Sequence, residues 1–365
     1  MTTSPYAGLP KRQFWRTGVR EADWSTIDDL YRKKFPIENT TRIMTAGSCF
    51  AQHIASHLKE NGYLVLDEEP APLGVSSLTA RNFGYGLYSA RYGNIYTARQ
   101  LLQLIREAYG RTTPTDIVWE KDGRYYDALR PGLEPQGLDS PDEVLAHRED
   151  HLARVRAVVD QADLLIFTFG LTEAWIHRQS GTVYPTAPGT IAGTFDPSVH
   201  AFVNFTYEQV LADFERMRRF VQRFRPGMRF LLTGSPVPLT ATAVDDHVLS
   251  STMHSKSILR AVAGALTQRY PDVDYFPSYE IVASPFVGSF YDDSKRSVTA
   301  EGVAAVMSIF FREHGTVAPA EADAQRIDSR TGREMVRPSD VGSGTLAALR
   351  DEVICEEILL EAFAP

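Results

Sequence analysis

Gly47-Ser48-Cys49 sets a hydroxyl and a thiol side by side. They follow a strand-like run from Thr41 to Ala46 and precede an amphipathic stretch. In an open parallel sheet, that edge is where ligands bind. A helix N-terminus there offers unpaired N–H groups and the positive end of a dipole. The glycine allows a sharp turn or a close backbone approach. Ser48 is therefore a candidate nucleophile whose turn could form part of an oxyanion site. Its other role is to cap the helix, which serine often does. The two roles are compatible. Cys49 is the alternative nucleophile, because a helix N-terminus lowers a thiol pKa. It also suits a buried position.

The elements that must position this turn can be read from the hydrophobic pattern. Arg42–Thr45 is predicted as the first strand. Cys49–Asn61 is predicted as a helix, with Phe50, Ile54 and Leu58 at i, i+4, i+8 and Gly62 as its stop. Tyr63–Leu66 reads as a second strand. The continuous apolar run Asp163–Phe169 reads as a buried parallel strand. Arg229–Thr233 and Asp274–Phe276 follow in the same style, with helices near Thr206–Arg223, Ser251–Tyr270 and Thr299–His314. Strands alternating with helices predict an α/β fold on a parallel, doubly wound sheet. Residues 74–160 interrupt the alternation and read as a large insertion. Residues 1–40 read as an N-terminal arm with an aromatic helix, 41–315 as the α/β domain, and 316–365 as a tail ending in a helix over Leu346–Phe363. That helix offers a face to its own domain or to a second copy.

Composition bounds the function. The chain has 365 residues, is 43% hydrophobic and 23% charged, and carries a net charge of −8. It contains no long Lys/Arg run, which argues against non-specific nucleic-acid binding. No run approaches the ~18 apolar residues of a membrane span. Met1–Lys11 has no apolar h-region, so a cytoplasmic protein is expected. The two cysteines, Cys49 and Cys355, form neither a disulfide framework nor a metal-binding pair. No His, Cys and carboxylate group has metal-ligand spacing, so no metal is expected. Gly84-Tyr85-Gly86 lacks the frame of a dinucleotide site, and no cofactor is expected. Tyr85, Tyr88, Tyr92 and Tyr96 read as core or cleft lining.

Ala46-Gly47-Ser48-Cys49-Phe50-Ala51 resembles the name-giving motif of the GSCFA-domain proteins, a group related to the SGNH (GDSL-like) hydrolases. Further similar segments are Arg91–Gln100, Thr168–Trp175, Ser235–Leu239, Ser255–Ser257 and Tyr275–Glu280. The resemblance spans residues ~40 to ~313 and implies a flavodoxin-like three-layer α/β/α sandwich. By the same resemblance, Ser48 is the nucleophile. Its own N–H, Gly170 and an amide such as Asn94 would hold the oxyanion. Relatives carry Gly-x-Asn-Asp where this chain has Gly170-Leu171-Thr172-Glu173, so Thr172 replaces the asparagine and could donate through its hydroxyl.

SGNH relatives also carry an Asp-x-x-His before the last helix. Here Asp293 is present, but Arg296 stands in the histidine position and cannot act as a base. A base must then come from elsewhere. His247 and His254 follow the strand Arg229–Thr233, on the correct rim, and Asp293 or Asp246 could orient His247. Lys256 and Glu280 are alternatives. Lys295 and Arg296 could clamp an anionic group of a substrate. The reading is a serine ester hydrolase or O-acyltransferase working through an acyl-enzyme on a small-molecule or glycan ester. Its rivals are a non-catalytic binding module on the same fold and a thiol enzyme using Cys49.

Overall fold

The computed structural model describes residues 4–23, 25–27, 29–284, 290–316 and 354–364. Nine strands and eight α-helices run in the order β1 (Ile43–Gly47), α1 (Phe50–Glu60), α2 (Ser77–Asn82), α3 (Ala98–Ala108), β2 (Val118–Lys121), β3 (Arg124–Asp127), α4 (Pro141–Gln161), β4 (Leu164–Phe169), β5 (Glu173–His177), β6 (Val183–Tyr184), β7 (His200–Asn204), α5 (Tyr207–Val221), β8 (Arg229–Gly234), α6 (Val248–Arg269), β9 (Val273–Phe276), α7 (Ser278–Ala283) and α8 (Ala300–His314) among these residues.

The central sheet is parallel, in the order β1-β4-β8-β9. The segment expected as a second strand, Tyr63–Leu66, joins its edge through one parallel bridge, Ile43 to Val65. With that bridge counted, the order follows the doubly wound pattern 2-1-3-4-5. Both faces are covered because alternate residues point to opposite sides. Met44, Leu165, Phe167, Phe230 and Leu232 enter one core, beneath α3, α4, α5 and α6. Ile43, Leu164, Ile166 and Leu231 enter the other, beneath α1, α7 and α8. Phe50, Ile54 and Leu58 of α1 fill this second core, as their spacing predicts.

The stretch expected as an insertion divides in two. Helices α3 and α4 belong to the sandwich, since α3 packs on α4 and α5 and α4 leads into β4. The β2–β3 hairpin is the addition, with its own small core around Trp119 and Tyr126. The antiparallel sheet β6-β5-β7 lies in a stretch to which the sequence pattern assigned no element. Of the expected terminal helix, residues 346–353 lie outside the described residues, and Glu356–Phe363 form a 3₁₀ helix.

Candidate active site

Strand β1 ends on Gly47, whose φ is +144°. A Cβ there would sit 2.6 Å from the carbonyl oxygen of Thr168 and 2.7 Å from its nitrogen, so glycine is required for β1 to close on β4. Ser48 follows directly. Its N–H donates to Thr168 O at 3.1 Å, and its carbonyl accepts the N–H of Ala51 at 2.9 Å and the Tyr88 hydroxyl at 3.1 Å. The backbone of Ser48 therefore starts α1, while its side chain caps nothing. Ser48 Oγ is buried and without a hydrogen-bond partner. A buried, unpartnered polar atom needs a reason, and a catalytic role is one.

The loop Asn94–Thr97 lies across this turn. Ile95 N–H donates to Gly47 O at 2.8 Å, and Gly170 and Leu171 both donate to Tyr96 O at 3.0 Å. A Cβ on Gly170 would come within 2.9 Å of Ser48 Cβ. Gly170 thus contributes close approach. The expected backbone oxyanion donors are not free: the Ser48 N–H is committed to Thr168 and the Gly170 N–H to Tyr96. Thr172 is also committed, its hydroxyl donating to Asn204 Oδ1 at 2.7 Å and its N–H to Ser255 Oγ at 3.0 Å. These three expectations are corrected for one reason: the strand ends are knitted together through the groups that would otherwise face a ligand.

Asn94 remains. Its Oδ1 accepts from the Tyr88 hydroxyl at 2.6 Å and from Gln52 Nε2 at 3.1 Å, which aims the amide N–H groups into the site. Gln52 lies on α1 one turn after Ser48, so the same helix opens beside one functional group and orients the other. Neither the Gln52 anchor nor a donor role for the Tyr96 hydroxyl follows from the sequence pattern.

The expected acid–base pair, His247 oriented by Asp293, is not assembled. Asp293 is exposed on a turn. His247 is exposed at the N-terminal cap of α6, where its Nδ1 accepts the N–H of Leu249 at 3.1 Å. Neither bonds Ser48. His254 is exposed, and Glu280 is tied to Arg260 and to the Tyr275 hydroxyl. Lys256 is different. It is buried on the inner face of α6 and donates to Gly170 O at 2.8 Å. Burial pulls its pKa down to about 8.

Arg296 turns inward. Its guanidinium lies 3.3 Å from a Glu357 carboxylate oxygen and 3.8 Å from Cys355 Sγ, while its Nε is buried and unpartnered. The tail that meets it comes from the far end of the chain. Ile354 pairs with the Gln52 amide in both directions, at 3.2 and 2.7 Å. Asn94 Nδ2 donates to Ile354 O at 2.9 Å and to the Glu356 carboxylate, and the Tyr96 hydroxyl donates to Glu356 at 2.8 Å.

Cys49 and Cys355 lie close enough for each to shift the other's thiol pKa. Cys355 and burial push the Cys49 thiol up, the opposite of what a helix N-terminus alone would do. The Cys355 thiol is lowered by its bond from Cys49 and by the nearby Arg296 charge.

The GSCFA family model matches residues 42–310. The chain belongs to the GSCFA family. No curated protein matches it. Among solved structures, a carbohydrate esterase family 3 protein from Talaromyces cellulolyticus is 9% identical, covering 74% of this chain and 94% of that one, with a TM-score of 0.29. A carbohydrate acetylesterase family member from Sinorhizobium meliloti is 13% identical, covering 76% and 100%, with a TM-score of 0.29. A candidate platelet activating factor from Streptococcus pneumonia is 14% identical, with a TM-score of 0.25; the match takes in 46% of this chain and 65% of that one. At such scores these likenesses carry no argument about activity.

In this GSCFA chain the turn, the Asn94 loop and Arg296 all lie within the matched segment, and the tail that covers them lies beyond it. Among the described residues, no helix is long and apolar enough to cross a membrane, and no group of three or more His, Cys, Asp or Glu could hold a metal.

Proposed function

We propose that this GSCFA protein is a serine ester hydrolase with Ser48 as nucleophile. One observation carries the reading: the Tyr88 hydroxyl joins the backbone of Ser48, whose buried hydroxyl is unpartnered, to Asn94, whose amide holds a carboxylate in the structure. A carboxylate is the product acid of ester hydrolysis, with an oxygen where the oxyanion would form.

In this mechanism Ser48 Oγ attacks the acyl carbonyl as its proton passes to Lys256 Nζ. Asn94 Nδ2–H and the Tyr96 hydroxyl receive the negative charge. Lys256 then returns the proton to the departing alkoxide, and water repeats the sequence to release the acid. Lysine is a known partner for a catalytic serine. A pKa of about 8 leaves about a tenth of it neutral at pH 7. Lys256 is bonded to the carbonyl of Gly170, the residue that abuts Ser48. Arg296, with its free Nε, would hold an anionic group of the substrate. Acylated glycans and small esters fit this chemistry. An acceptor alcohol in place of water would make the enzyme an acyltransferase.

The test is labelling by a fluorophosphonate probe, located by peptide mass spectrometry. The expected result is modification of Ser48 in the wild type and in Glu356→Ala, retained in Cys49→Ala and lost in Ser48→Ala. A folded Glu356→Ala chain that takes no probe would overturn the hydrolase reading and leave a binding module.

A further inference from the structure

We propose that residues 354–364 are an intramolecular ligand of the Ser48 pocket, seated as a product acid would be and withdrawn to admit substrate. This rests on the hydrolase reading for its meaning, but its seating is testable without it.

The segment Ile354–Glu357 is held by polar contacts from three separate parts of the fold. Gln52 on α1 pairs with the Ile354 backbone. Asn94 and Tyr96 on the loop hold the Glu356 carboxylate. Arg296 on the turn before α8 meets Glu357. Glu356 is 5% exposed and Glu357 8%. Burying two carboxylates is costly unless donors await them. The donors offset part of that cost, although burial still leaves both carboxyl pKa values raised, and the Asn94 amide and Tyr96 hydroxyl that meet Glu356 suit an acyl group developing negative charge. Gly132 adds to the fit, since a Cβ there would come within 3.1–3.2 Å of the Glu356 side chain.

The grip is narrow enough to release. Beyond Glu357 the segment leaves Ile358, Leu359 and Phe363 at 50%, 45% and 67% exposure. Little apolar area therefore holds it down. Glu357 also docks at a cost: burial, then Cys355, raise its pKa to about 8 despite Arg296 and Lys256, with Glu173 facing it as well. A cavity of about 170 Å³ runs along the tail, walled by Leu171, Trp175, Phe202 and Leu239 on one side and by Glu357 and Leu360 on the other. Withdrawal of the tail would open this cavity, whose wall includes Leu171, the neighbour of the Gly170 that abuts Ser48.

The two cysteines of the chain provide a direct test, because Cys49 lies beside the nucleophile and Cys355 in the tail. Diamide, an azodicarboxamide oxidant, takes two electrons and two protons from the pair. Two S–H bonds break, one S–S bond forms, and the reagent becomes the hydrazine. The expected result is an intramolecular Cys49–Cys355 disulfide, mapped by mass spectrometry, absent in Cys355→Ser and reversed by dithiothreitol. The cross-linked chain should resist fluorophosphonate labelling at Ser48.

Glu356→Ala removes charged hydrogen bonds. It should slow cross-linking and speed Ser48 labelling, each by about tenfold. No intramolecular disulfide in the folded chain, a covalent dimer instead, or unchanged labelling of the cross-linked chain would overturn the proposal. A disulfide that forms readily in a chain whose Ser48 never reacts, even in Glu356→Ala, supports the seated tail and removes only the hydrolase reading.

Discussion

Asn94 donates its side-chain amide to the carboxylate of Glu356, a residue from the opposite end of the chain. The orientation is set before any ligand arrives, because Tyr88 and Gln52 both donate to Asn94 Oδ1. A donor fixed in this way needs no reorganisation as charge develops. Asn94→Ala should therefore lower kcat for a simple ester by roughly 10²–10³-fold with a smaller change in KM. Steady-state kinetics in the Glu356→Ala background would measure this without the competing carboxylate. A change confined to KM would remove Asn94 from the oxyanion role.

The two glycines beside Ser48 should not tolerate alanine equally. At Gly170 a Cβ would meet Ser48 Cβ at 2.9 Å and Tyr96 O at 3.1 Å, and crowding of this kind costs about 1–3 kcal/mol. Gly47→Ala adds a positive φ and contacts of 2.6–2.7 Å to the Thr168 backbone, so it should be the more destabilising. Urea unfolding of both variants would give the order. Equal stability would mean that β1 and β4 can separate at this end.

Activity should rise with pH toward a plateau above about 8. Burial lowers the Lys256 pKa to that value, and a base works only when unprotonated, so each unit below it should cost about tenfold in rate. The groups facing Lys256 are Glu357, Cys49 and Arg296. In Lys256→Met the rate should fall and this limb of the kcat/KM profile should vanish. A folded Lys256→Met variant with a normal profile would exclude Lys256 as the base.

Acid should destabilise the fold well before carboxylates titrate. Burial holds His53 and His151 near a pKa of about 4, although His151 Nδ1 lies 2.8 Å from Glu69. The unfolded chain binds these protons near pH 6.5 while the folded chain does not. Stability is therefore intact above about 6.5 and falls by roughly 1.4 kcal/mol per pH unit for each histidine down to about 4. Urea midpoints at pH 7, 6 and 5 would show this. His53→Gln should reduce the slope, and a midpoint independent of pH would contradict it.

Much of the architecture was legible because it rests on local periodicity. The apolar run of β4, the spacing of Phe50, Ile54 and Leu58, and the glycine that ends β1 each have a short-range cause. The antiparallel sheet β6-β5-β7 was not legible: its strands are short and only partly buried, and their pairing joins Glu173–His177 to residues 200–204. The placement of the expected acid–base residues was not legible for a similar reason. A histidine on the right rim can serve as an exposed cap, as His247 does, and sequence position does not reveal which way a side chain turns.

Sequence alone determined that Ser48 would stand at the end of the first strand of a parallel sheet, since Gly47 and the apolar pattern on either side are local facts. Only the tertiary structure decided what surrounds that hydroxyl. Lys256 bonds the carbonyl of Gly170, which abuts Ser48, while Asn94 and Arg296 meet Glu356 and Glu357, which lie more than 300 positions beyond Ser48 in the chain. Contacts over such separations arise when burial and hydrogen bonding in the folded chain outweigh the entropy of closing long loops, and no local pattern records that balance.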